Sequence, residues 1–161
     1  MNGQELIKTE KAILSIEYLP SVNYSMLNSG VETCYKFVLE NAEQRDWQQI
    51  QITIRGELIK EHVQRLEFLR GGQSVQVSDV QIQPDIRQLS AITEAVNSSC
   101  TITIEEEGGL LLYQELPITL MAYDEWAGAN VMPEYIATFV VPNNPMLSRI
   151  KVKAAQFLEK R

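Results

Sequence analysis

The sequence predicts a mainly β protein: an immunoglobulin-like antiparallel β-sandwich with a C-terminal helical extension. Three observations predict it. Apolar and polar residues alternate from Ala12 to about Tyr123, turn-forming residues punctuate that alternation, and helical spacing becomes prominent only after Trp126. Strands are expected near residues 12–19, 32–40, 48–56, 62–69, 74–83, 98–106 and 110–123. Seven short strands with few helical stretches fit two packed antiparallel sheets.

The clearest strand is Gln48 to Arg55, where Ile50, Ile52 and Ile54 share one face and Gln51, Thr53 and Arg55 the other. This places one side of its sheet on a core and the other in water. Turns fall at Asn28-Ser29-Gly30, at Gly71-Gly72 and at Gly108-Gly109, the last joining two apolar strands as a tight hairpin. Between Pro84 and Val96 the residues Ile86, Leu89, Ile92 and Ala95 recur at threes, which predicts a short helix crossing between the sheets. Beyond Trp126, Pro133 to Val140 carries Pro and Glu in a first-turn position, and Asn144-Pro145 is a second helix start. From Met146 to Lys160 the residues Leu147, Ile150, Ala154, Phe157 and Leu158 share one face. The expected organisation is a disordered leader over 1–11, the sandwich over 12–126, and a helical extension or connector over 127–161.

A chain of 161 residues is long enough to bury a core of its own. Its net charge of -7 argues against a protein that grips nucleic acid over its whole surface. The charge is unevenly divided, +4 in residues 146–161 and -11 in the remainder. That basic tail, with Arg149, Lys151 and Lys153, is a candidate nucleic-acid contact; the plainer alternative is a solvated helix face or one docked on the acidic body. The first ten residues lack the apolar stretch of a signal peptide, and no apolar run reaches the ~20 residues of a membrane span. A soluble cytoplasmic protein with reduced thiols and no membrane contact is expected.

Catalytic chemistry is poorly supplied. Cys34 on the second strand, Cys100 on the sixth and Trp47 opening the third resemble the disulfide and tryptophan of antibody domains. Strict alternation, however, sets Cys34 opposite to the Tyr35, Phe37 and Leu39 face and sets Cys100 with Ile102 and Ile104. One sulfur then points out and the other in, and two free thiols are expected. The apolar run ending at Asp124-Glu125 resembles a magnesium-binding ATPase strand, but no G-x-x-x-x-G-K-[ST] loop accompanies it. His62 has no neighbouring Cys or His and is expected to be a surface or satisfied histidine. Glu105, Glu106 and Glu107 alternate between faces and cannot converge on one cation; they more plausibly protect a sheet edge. No G-x-S-x-G elbow is present. No catalytic residue, metal site or cofactor is expected.

Two segments are richer in Tyr, Trp, Asn and Pro than a plain sandwich needs. They are Tyr18 to Val31, and Ala122 to Trp126 with the continuation from Pro133 to Pro145. Aromatic loops of this kind serve recognition or plug the end of a sandwich, and the residues alone leave both uses open. The candidate interaction residues are Tyr18, Asn23, Tyr24, Tyr123, Asp124, Trp126, Tyr135 and Asn143.

The same segments carry a family resemblance. The elements are Tyr18-x-Pro20-x-x-Asn23-Tyr24, Asn28-x-Gly30-Val31, Ala122-Tyr123-Asp124-Glu125-Trp126, and Pro133-Glu134 leading to Ala137-x-Phe139-Val140-x-Pro142-Asn143-x-Pro145. Over residues 12 to about 160 the chain resembles the amino-terminal β-sandwich region, a domain of unknown function, of large bacterial proteins with a superfamily-one helicase core and a Vsr-like nuclease domain. Asn144 departs from the histidine that this family's proline-framed loop carries. The resemblance implies a non-catalytic module for DNA processing, with a link to phage defence. Its partner would be another protein or the remainder of a helicase chain, and ATPase motifs would lie outside these residues.

Overall fold

The computed structural model describes residues 3–123 and 125. Strands hold 59% of these residues and helices 7%, so the protein is mainly β. The strands are β1 (Gly3–Lys8), β2 (Ala12–Tyr18), β3 (Ser21–Val22), β4 (Cys34–Asn41), β5 (Trp47–Gly56), β6 (Ile59–Leu69), β7 (Ser74–Gln76), β8 (Gln83–Pro84), β9 (Val96–Glu106) and β10 (Gly109–Leu120). Two short helices, α1 (Tyr24–Asn28) and α2 (Ile86–Leu89), lie between them. One sheet runs β1-β2-β4-β7 and the other β3-β10-β9-β5-β6-β8. Every pairing is antiparallel except β3 with β10.

The core forms where the alternating apolar faces of both sheets meet. Ala12, Leu14, Ile16 and Tyr18 of β2 and Phe37 and Leu39 of β4 are buried from one sheet. Ile50, Ile52 and Ile54 of β5, Cys100, Ile102 and Ile104 of β9 and Leu112, Leu116 and Ile118 of β10 are buried from the other. The inward positions of β5 and β9 stack in register, Ile52 opposite Ile104 and Ile54 opposite Ile102. Turns close the ladders economically: Gly109 pairs with Glu106 across a two-residue loop, as Gly56 does with Ile59. Gly109 has φ 118, a backbone conformation open to glycine and costly for a side chain.

Several expectations give way. The leader over 1–11 contains an ordered strand, β1, paired with β2 from Gly3 opposite Tyr18 to Lys8 opposite Ile13. Among the described residues it pairs on one side only and its residues are mostly exposed, so no apolar face announces it. Gly3 serves a close approach, since a Cβ there would lie 2.8 Å from the Tyr18 ring. The strand expected over 74–83 is interrupted after Gln76 and resumes only as β8. Between them Thr33 collects the chain: its Oγ1 donates to Gln81 Oε1 at 3.0 Å and accepts from Ile82 N at 3.0 Å. The helix expected over 84–96 shrinks to four residues capped by Asp85, whose side chain accepts from Arg87 N. Its remaining residues turn toward β9. The helices expected over 133–140 and 146–160 lie outside the described residues.

Cys34 is the most instructive correction. Alternation predicts an outward side chain, whereas both Cys34 and Cys100 are buried free thiols, 7% and 0% exposed. A bulge explains it: Glu17 pairs with Lys36 but Tyr18 pairs with Cys34, so Tyr35 is an extra residue and the side-chain parity of β4 reverses at its start. The Cys34 Sγ donates to the Lys36 carbonyl at 3.6 Å.

At the opposite end of β4, Trp47 is wholly buried and its Nε1 donates to Glu43 Oε2 at 2.8 Å. Arg45 pairs with Glu43 at 2.9 Å and also with Glu106 at the end of β9. So Glu106 ties a hairpin end to the β4–β5 loop, which is more than the edge protection expected of it. The Trp47 hydrogen bond, then Arg45, hold the Glu43 carboxyl below its ordinary value. A depressed carboxylate contributes stability above its unfolded pKa of roughly 4.3 and loses it as pH falls through the folded value. Glu43→Gln is therefore expected to lower the melting temperature near neutrality and to flatten its fall on acidification, so that the two proteins converge below that point. Thermal melts across that range, compared with wild type, check this.

Candidate functional site

The two aromatic segments flagged in the sequence come together. β3 runs parallel to the end of β10, with Thr119 N donating to Pro20 O at 2.7 Å and Met121 N to Val22 O at 2.8 Å. This delivers Asn23 to the cap of α1, where its side chain accepts from Met26 N at 2.9 Å. Its other end, Nδ2, donates to Glu125 O at 2.7 Å. Ser25 Oγ donates to Tyr123 O at 3.4 Å, and Tyr123 N donates to Ile92 O beyond α2 at 3.3 Å. Glu125 closes its own turn, its carboxylate accepting from Ala122 N at 3.2 Å. Residues about one hundred positions apart thereby meet at one end of the two sheets.

α1 is five residues long, too short to persist on intrinsic propensity. Its two ends are specified by side chain and backbone instead. Asn23 caps the start, and at the finish Gly30, with φ 75, lets Gly30 N reach Leu27 O and Val31 N reach Met26 O, both at 3.0 Å. Met26 anchors the helix in the core.

The candidate residues separate by role. Tyr18 is buried, its Oη donating to Pro117 O at 3.4 Å, and burial, followed by Glu5 and Cys100, raises its phenol pKa. Asn23 is 1% exposed. These two build the end of the sheet pair and offer no surface. Tyr24 is half-buried, while Tyr123 is 50% exposed. Asp124, Trp126, Tyr135, Asn143, Arg149, Lys151 and Lys153 lie outside the described residues.

A cavity of about 370 Å³ flanks α1, and sequence reasoning gave no sign of it. Leu27, Val31, Pro84 and Ile86 supply its apolar lining, with Glu32 and Lys60 also facing it. These residues belong to three separate stretches of chain, so no local motif announces them.

Elsewhere the chemistry is sparse. Among the described residues no group of three His, Cys, Asp or Glu side chains is placed to hold a metal ion. His62, opposite Ile54 on β6, is half-buried and its Nε2 finds no hydrogen-bond partner among the described residues, which differs from the surface or satisfied histidine expected. Among the described residues no helix is long and apolar enough to cross a membrane. No protein-family model matches the chain, and no curated protein matches it.

Proposed function

We propose that this chain is a non-catalytic interaction module that recognises a protein partner at the end built by β3, α1, residues 121–123 and Glu125. The carrying observation is the convergence there: Tyr123 is half exposed while its own N–H and C=O are held by Ile92 and Ser25. An exposed aromatic on a fixed backbone loses little entropy on binding, which suits an interface anchor. We read the architecture as immunoglobulin-like. Setting aside β1, β3 and β8, the sheets run β2-β4-β7 and β6-β5-β9-β10, an order that supports a Greek-key sandwich of that kind.

The resemblance described above suggests the partner: the ATPase and nuclease parts of a bacterial cytoplasmic helicase system for DNA processing and phage defence. The test uses the full chain and the P-loop ATPase encoded in the same frame or beside it. Wild type is expected to bind that ATPase, and Tyr123→Ala to weaken binding at least ~10-fold at an unchanged melting temperature, as for a central aromatic anchor. Unaltered affinity in Tyr123→Ala would remove this end from the interface. ATP turnover by the chain alone, lost in Glu125→Ala, would sink the non-catalytic reading.

The charge division favours one second reading, an accessory nucleic-acid contact through the basic residues Arg149, Lys151 and Lys153. It requires DNA binding that weakens steeply with salt and vanishes on deletion of 146–161.

A further inference from the structure

We infer that Cys34 and Cys100 form a latent crosslinking site: when the chain folds in the presence of a small-molecule disulfide, their thiols are oxidised to one intramolecular disulfide joining β4 to β9. The inference is independent of the function proposed above and stands on the alignment of the two sheets. In the first sheet Tyr18 of β2 lies opposite Cys34 of β4. In the second, Leu116 and Pro117 of β10 lie opposite Cys100 and Ser99 of β9. The Tyr18 phenol crosses the core to Pro117 O, which sets β2 against β10 at this level.

The direction in which the sheets run is fixed by contacts at the far end. Thr9, just before β2, donates to Leu111 O of β10, whereas Asn41, closing β4, donates to Leu69 O of β6. Moving from β2 to β4 therefore follows the same direction as moving from β10 through β9 and β5 to β6. With Tyr18 over Pro117, whose ladder partner is Ser99, Cys34 falls over the Ser99–Cys100 step of β9. The bulge at Tyr35 turns the Cys34 side chain inward, and Cys100 is inward by simple alternation. Cys34 is also one of the groups that raise the Cys100 thiol, after burial.

The timing follows from thiol chemistry. Exchange needs a thiolate, and burial pushes Cys34 up to about 11 and Cys100 up to about 12, so the folded dithiol is inert near neutrality. During folding the same groups are exposed. One thiolate attacks a sulfur of the small disulfide, breaking its S–S bond and releasing a small thiolate. The second protein thiolate then attacks the mixed disulfide, forming the Cys34–Cys100 bond and expelling the second small thiol. Two protein thiols are oxidised, and one small disulfide is reduced to two thiols.

The test unfolds the full reduced chain in urea and dilutes it into buffer containing reduced and oxidised glutathione. The expected product is a monomer lighter by two hydrogen atoms, with a single peptide joining Cys34 to Cys100, melting several degrees above the dithiol form. Cys34→Ser is expected to lose that peptide. Glutathione adducts on both cysteines without the linked peptide, intermolecular disulfides, or a crosslinked monomer melting below the dithiol would each overturn the inference.

Discussion

Trp47→Ala is expected to cost about 4 kcal/mol, the range for removing a large aromatic from a closed core that relaxes only in part. Trp47 has no exposed surface and opens β5 opposite Leu69. Losing it removes the packing at the foot of both sheets and the Nε1 donor that holds Glu43, which in turn positions Arg45 against Glu106. Trp47→Phe separates the two contributions. It retains most of the apolar burial but no donor, and about 1 kcal/mol is expected, the usual worth of one hydrogen bond with a little packing. Equilibrium urea denaturation followed by circular dichroism gives both values. A loss below about 1 kcal/mol for the alanine variant would mean that the site collapses around the missing ring, contrary to the packing described.

Asn41→Ala is expected to cost about 3 kcal/mol, because it strips partners from several backbone groups at once. Asn41 is 0% exposed at the end of β4. Its Nδ2 donates to Arg45 O at 2.8 Å and Leu69 O at 3.2 Å, and its Oδ1 accepts from Glu43 N at 3.0 Å. One side chain therefore ties the end of one sheet to the β4–β5 loop and to β6 of the other. Asn41→Asp preserves the acceptor but loses both donors and adds a charge among carbonyls. It is expected to be at least as damaging at neutral pH and to recover partly on acidification, as the carboxyl takes up a proton. The same denaturation series at two pH values checks it, and indifference of the aspartate variant to pH would contradict the dry, carbonyl-lined environment.

Much of the fold is legible in the sequence because most strands obey a period of two. Ile50, Ile52 and Ile54 on β5 and Ile102 and Ile104 on β9 occupy the faces their spacing implies. Legibility ends wherever the period breaks without a local signal. Nothing around Tyr35 marks a bulge, so Cys34 is misplaced by alternation alone. Gln49, with φ 52, lies between Trp47 and Ile50, which both face inward at a spacing of three. Helical spacing over 86–95 overstates α2, which ends at Leu89: Leu89 is buried, but Ile86 and Ile92 are only partly so and Ala95 is exposed. Of the candidate site, the sequence singles out both segments but not how they meet. Asn23 is recognisable as polar and unusual, yet its bond to Glu125 depends on the parallel seating of β3 against β10, a long-range pairing no window of sequence contains.

That parallel seating has a mechanical consequence. If tension were applied along the chain from its start to beyond β10, β1 would be peeled from β2 one antiparallel pair at a time, at low force. The Pro20 and Val22 carbonyls, holding Thr119 and Met121, would meet the same load sideways and have to yield together. A module joined in series to moving machinery would thus give a few residues of slack at its first strand before its main body yielded.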